Sequence, residues 1–93
     1  MIVGVLELRI GIGDAQSLKD KRRVLKSLKD RLRRAFNVSV AEVDHNDVLR
    51  SAVLGVALVA NDRRFVDSAL SQVVEFVRRV PQLTLADYHL EML

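Results

Sequence analysis

The stretch AVLGVALVA, residues 52–60, contains no charged and no polar side chain. A strand buried on both sides reads this way, because successive side chains point to opposite faces and neither face here is suited to water. Such a strand belongs in the middle of a sheet, or beneath a partner laid over its open face.

Working outward, IVGVLELRIGI at residues 2–12 keeps Ile2, Leu6, Leu8, Ile10 and Ile12 on one face at period two, with Val3, Val5, Glu7 and Arg9 on the other. That alternation predicts a strand at least half buried. Gly13, Asp14 and Ala15 supply a turn, and Ser17, with Asp20 three residues on, starts a helix through a shortened capping box. Leu18, Leu25, Leu28, Leu32, Ala35 and Phe36 recur at helical spacing and form its apolar stripe, while Lys19, Arg22, Lys26, Lys29 and Arg33 fall on the other side. Residues 37–45 are rich in β-branched side chains and read as a second strand, followed by the loop HNDVLRS.

Beyond the central run, Asn61 or Asp62 caps a second helix in which Val66, Ala69, Leu70, Val73, Val77 and Val80 share a face. Pro81 stops it just after Arg78 and Arg79, whose charge suits a helix C-terminus. LTLADYHLEML, residues 83–93, alternates as a last strand, with Ala86 and Asp87 marking a bulge or a change of face. The order is β-α-β-β-α-β, two right-handed β-α-β units whose interleaving predicts a four-stranded antiparallel sheet with both helices on one face. The fold class is α+β, a ferredoxin-like sandwich, with residues 1–93 as a single domain.

Composition narrows the function classes. A chain of 93 residues, 49% hydrophobic, with one proline and four glycines, can bury one core and has too few breakers for disorder. No cysteine occurs, which excludes disulfides, thiolate metal sites and a cysteine nucleophile; the two histidines, His45 and His89, argue against a zinc site. No cofactor and no metal are expected. The apolar opening MIVGVLELRIGIG lacks a positive n-region and is interrupted by Glu7 and Arg9, so it reads neither as a signal peptide nor as a membrane span, and a cytoplasmic protein is expected.

The net charge of +3 conceals an asymmetry. Residues 17–36, SLKDKRRVLKSLKDRLRRAF, hold nine bases against two acids, a local +7, and the remainder holds six bases against ten acids, or −4. Such segregation speaks of partners rather than of fold. An ordinary solvated helix mixes signs for i,i+4 pairing, whereas a cationic face can follow a phosphate backbone without reading bases. The candidate nucleic-acid-binding residues are Lys19, Arg22, Arg23, Lys26, Lys29 and Arg33, with RNA, double-stranded RNA above all, as the leading partner. An acidic protein surface would satisfy the same charge, and a solvated helix whose long side chains shield its apolar stripe is the plainest alternative.

The stretch from Ala15 to His45, AQSLKDKRRVLKSLKDRLRRAFNVSVAEVDH, resembles the YlxP-like family of small bacterial proteins, and VANDRRFVDSAL continues the match, so that the similarity runs over essentially the whole chain. The resemblance implies the same ferredoxin-like fold and carries no catalytic residues with it. Members are often encoded beside genes for translation and ribosome maturation, which implies a ribosome-associated setting. Where the family often has an aromatic-containing DLWQRA, this chain has DVLRSA, Asp47 to Ala52, with Leu49 where tryptophan is common.

Three lesser sites remain. EVDHND places Asp44, His45 and Asp47 at a strand end, where a general base or a metal could be assembled; turn chemistry is the favoured reading, since no nucleophile or oxyanion hole accompanies them. No catalytic residue is assigned and enzymatic activity is not expected. Arg63 and Arg64 stand at a helix start, against the macrodipole, and form a possible secondary basic contact, a salt bridge with a nearby acid being an equal explanation. Val3, Val5, Val53, Ala57 and Val59 would lie on the sheet face away from the helices, which predicts a homodimer through that face or an edge strand, or a ligand bound there. Of the aromatics, Tyr88 alone could present a ring from a strand, so base stacking on the sheet is disfavoured.

Overall fold

The computed structural model describes residues 1–93. Its elements run β1 (Ile2–Gly11), α1 (Leu18–Ala35), β2 (Ser39–Asp44), β3 (Ser51–Ala60), α2 (Arg63–Arg78) and β4 (Thr84–Met92). The four strands form one sheet in the order β2-β3-β1-β4, every neighbouring pair antiparallel. This is the α+β, ferredoxin-like arrangement expected from the β-α-β-β-α-β order.

The uncharged run at 52–60 owes its composition to its place. β3 pairs with β2 on one side and with β1 on the other, Leu6 facing Val56 and Leu8 facing Leu54. The helix-covered face takes Leu6, Leu8 and Ile10 from β1 and Ala52, Leu54, Val56 and Leu58 from β3, all buried, so apolar matter is required on that face. On the other, Val53 is buried but Gly55 and Ala57 are half buried and Val59 is exposed, so β3 is central in the sheet without being buried on both sides. α2 seats Val66, Ala69, Leu70, Val73, Val74 and Val77 on this surface. Contact is close at Gly4: a Cβ built there would lie 2.4 Å from Val66 Cγ1 and 2.8 Å from Leu70 Cδ1, so only a glycine lets α2 approach β1 so nearly.

Several boundaries follow local chemistry. Ser17 is the N-cap of α1, its hydroxyl accepting from the Asp20 amide at 3.1 Å, while Asp20 Oδ2 accepts from the Gln16 amide at 3.2 Å. Asp62 caps α2, its Oδ1 accepting from the Arg64 amide at 3.0 Å. Val80 lies beyond the end of α2, although it is buried as a core residue. Ala86 is the extra residue of a β4 bulge, since Arg9 faces Asp87 while Ile10 faces Leu85. No helix is long and apolar enough to cross a membrane.

Candidate functional site

α1 lies over the sheet with Leu25, Leu28 and Leu32 buried, and one further residue shares their side: Lys21, 1% exposed. Its ammonium donates to the carbonyls of His45 and Val48, each at 2.6 Å, and lies 2.9 Å from Glu42 Oε2. Two carbonyls and one carboxylate thus meet the three ammonium protons, which is how a buried lysine becomes tolerable. Glu42 Oε2 has no well-directed donor of its own, so the ion contact is what offsets its burial. Lys21 therefore ties α1 to the loop between β2 and β3, and it is not available to a partner. The periodicity carried the signal: Lys21, Leu25, Leu28 and Leu32 repeat at four, three and four residues, the spacing of the apolar stripe itself. Two expected stripe positions differ in turn, for Ala35 is exposed and Leu18 only half buried, the two being the last and first residues of α1.

The six candidate cations stay outside. At about 100° per residue, Lys19, Arg22, Lys26, Lys29 and Arg33 share an arc of about 80°, and from Lys19 to Arg33 they extend about 21 Å. Arg23 sits just beyond that arc. Arg31, on the opposite flank, stacks over Phe76 of α2 with its guanidinium carbon 5.1 Å from the ring centroid, so α2 occupies that side and the cationic arc faces away from it. It faces the β2 edge, where Arg33 donates to the Val40 carbonyl at 2.9 Å.

Three of the six make ion pairs within the helix, Arg23 with Asp20 at 3.5 Å, Lys26 with Asp30 at 3.0 Å and Arg33 with Asp30 at 3.5 Å. Exposed pairs of this kind are weak and exchange readily for another anion. Lys19, Arg22 and Lys29 make no ion pair. The hydrogen bond from Lys26 holds the Asp30 carboxyl below its ordinary value of 3.8 against the opposing effect of desolvation, with the nearby charges of Lys26, Arg33 and Arg34 adding to the lowering.

The loop candidates do not come together as a catalytic group. Asp44 Oδ1 accepts from the His45 amide at 2.8 Å, His45 Nδ1 lies 2.9 Å from Ser51 Oγ, and His45 has the left-handed φ of 60°. Its carbonyl is thereby presented to Lys21. Asp47 is exposed, and no three His, Asp or Glu side chains converge as a metal-ligating group. Arg63 and Arg64 are exposed at the start of α2, apart from the cationic arc, and neither makes a salt bridge.

A family model described as "Protein of unknown function (DUF503)" matches residues 3–90. The chain belongs to the DUF503 family. It is similar to the uncharacterized protein YlxP of Bacillus subtilis (strain 168), with 34% identity over 82 residues, covering 88% of this chain and 89% of that relative.

In this DUF503 chain Leu49 is half buried and packs against the core beside the Lys21-bound loop. The sheet face away from the helices holds Val3, Val5, Glu7 and Arg9 of β1, with Val59, Ala57, Gly55 and Val53 opposite them on β3. Of the expected apolar set, Val53 is 5% exposed and so lends little to the open surface. Tyr88 faces the helix side opposite Leu8, with Arg78 over its ring at 5.8 Å, so none of the four aromatics stands on the open face.

Proposed function

We propose that this protein binds double-stranded RNA through the flank of α1 bearing Lys19, Arg22, Lys26, Lys29 and Arg33, contacting phosphates rather than bases. The observation that carries the reading is the gathering of these five cations, four exposed and Lys29 half buried, along one flank about 21 Å long, turned away from α2. Counterion release from the duplex supplies the free energy, and the weak pairs to Asp30 yield to phosphate as it docks. A duplex is favoured over a single strand because an open sheet face without aromatics offers no platform for unpaired bases, and A-form RNA is recognised largely by shape and backbone. Arg23, just beyond the arc, and Arg63 with Arg64 at the start of α2 are peripheral contacts in this reading. The role requires no catalytic group, metal or cofactor, and structured ribosomal RNA is a natural source of such duplexes.

The test is a binding titration against an RNA duplex of about 16 base pairs, comparing the native chain with K19E/R22E/K29E. These three side chains make no ion pair, so the fold is expected to survive. Affinity at low salt should fall about 30-fold or more. An undiminished affinity removes α1 from consideration, and an absence of RNA binding with retained binding to a polyglutamate probe moves the reading to an acidic protein surface.

A further inference from the structure

We propose that the open face of the sheet is a docking surface for a basic amphipathic helix of another protein. The proposal is independent of RNA binding, for this face lies on the far side of the sheet from α1.

The face combines an apolar floor with a carboxylate rim. Val59 is 56% and Val43 54% exposed, and Val3, Val5 and Ala57 are half buried, so the floor lies open to water. Small residues keep it low: Ala41 faces Gly55, and Ser39 faces Ala57. The resulting recess has a volume of about 590 Å³. Around it the register sets Glu7 beside His89, Glu91 beside Val5, Asp87 beside Arg9 and Asp44 beside Val53. Four carboxylates thus share the face with a single arginine, in a chain whose overall charge is +3. Glu7, Asp44 and Asp87 make no salt bridge, and the contact of Glu91 with His89, 3.7 Å, is ionic only when the imidazole is protonated. Asp44 and Asp87 each accept the amide of the next residue through one oxygen, at 2.8 Å, but their charge meets no cation, and such a row of carboxylates above exposed valines is complementary to a partner that presents Leu or Val beside Lys or Arg.

Size and charge select among occupants. From Val3 to Arg9 the face runs about 20 Å, and the four strands span about 14 Å, which is broad for a metabolite but fits about 14 residues of helix. A second copy is the wrong partner: two such faces stacked together would oppose eight carboxylates to two arginines, and like charges across an interface cost several kcal/mol per close pair as an order of magnitude. RNA is repelled for the same reason. The molecule is then two-sided, with phosphate-binding chemistry on α1 and cation-binding chemistry on the sheet.

The probe is a fluorescein-labelled amphipathic peptide of about 14 residues built from Leu and Lys, with a Leu/Glu peptide of the same pattern as control. Anisotropy should show saturable binding of the Leu/Lys peptide, weakened at least tenfold in E7K/E91K, weakened in V59D, and unchanged in K19E/R22E/K29E. Amide shifts on titration should centre on Val3, Val5, Ala57 and Val59, and circular dichroism should show each variant folded. Equal binding by E7K/E91K, equal binding of the Leu/Glu peptide, no binding at all, or shifts confined to the helices would overturn the proposal. So would sedimentation equilibrium showing a dimer of the free chain that V59D dissociates, which would assign the face to a second copy.

Discussion

The two helices lie on the same side of the same sheet, yet they are built to different ends. α2 turns six apolar residues inward, from Val66 to Val77, and its outer surface mixes Arg63, Arg64, Asp67, Glu75 and Arg78. α1 turns inward three leucines and a lysine, and its outer surface carries eight cations against Asp20 and Asp30. A helix that only covers a sheet needs what α2 has. The excess on α1 is what a partner surface would explain, and the lysine beneath it fastens the helix to the β2–β3 loop rather than to the core.

The comparison breaks first at the core. Leu70 is fully buried and packs where α2 approaches Gly4, so Leu70→Ala should cost about 4 kcal/mol in urea unfolding, a value below about 1 kcal/mol showing that α2 does not anchor the sheet. Lys21→Met should cost about 3 kcal/mol, because it strands Glu42 and leaves two carbonyls without their donor. The second change E42L should recover part of that loss, since it removes the stranded carboxylate. If the single substitution proved neutral, Lys21 would be a surface cation and α1 would be cationic all round.

How much of this could be read in the sequence depended on what position reveals and residue type conceals. The period-two and helical spacings located all six elements, and even the β4 bulge at Ala86 was legible, because a break in alternation leaves a mark. The burial of Lys21 is hidden in the sequence, although its place four residues before Leu25 belongs to the apolar stripe: a cation is assigned to water by type, and only the fold brings two loop carbonyls and Glu42 within reach of it. The acidity of the open sheet face was likewise hidden, since Glu7, Asp44, Asp87 and Glu91 come from three strands and meet only through the register. The alternation puts Tyr88 on a strand, but the shift at the bulge and the reach of Arg78 decide that its ring serves the helix side.

Smaller effects sharpen the contrast. Ser17→Ala should lower stability by about 1 kcal/mol through loss of the cap on the Asp20 amide, and hydrogen exchange at the first turn of α1 should quicken while α2 is unaffected. The Asp30 carboxyl should titrate below 3.8 by carbon-detected NMR and move up toward that value in Lys26→Met. Because this pKa is lowered in the folded state, the pairing favours the fold at pH above the ordinary carboxylate value and is lost as pH falls through the folded one. An unshifted Asp30 would mean that Lys26 is free, leaving still more of the α1 charge unspent.

The measurement that bears most directly on the difference between the helices is the salt dependence of RNA-duplex affinity for the native chain, for K19E/R22E/K29E and for R63E/R64E. With about 0.7 to 0.9 units of slope for each phosphate contacted, the native chain should give a log–log slope of about −3 or steeper. The α1 variant should flatten that slope toward zero, and the α2 variant should leave it within about one unit of the native value. Equal slopes for the native chain and the α1 variant, or a native slope near zero, would contradict the assignment of α1 as the phosphate-binding surface.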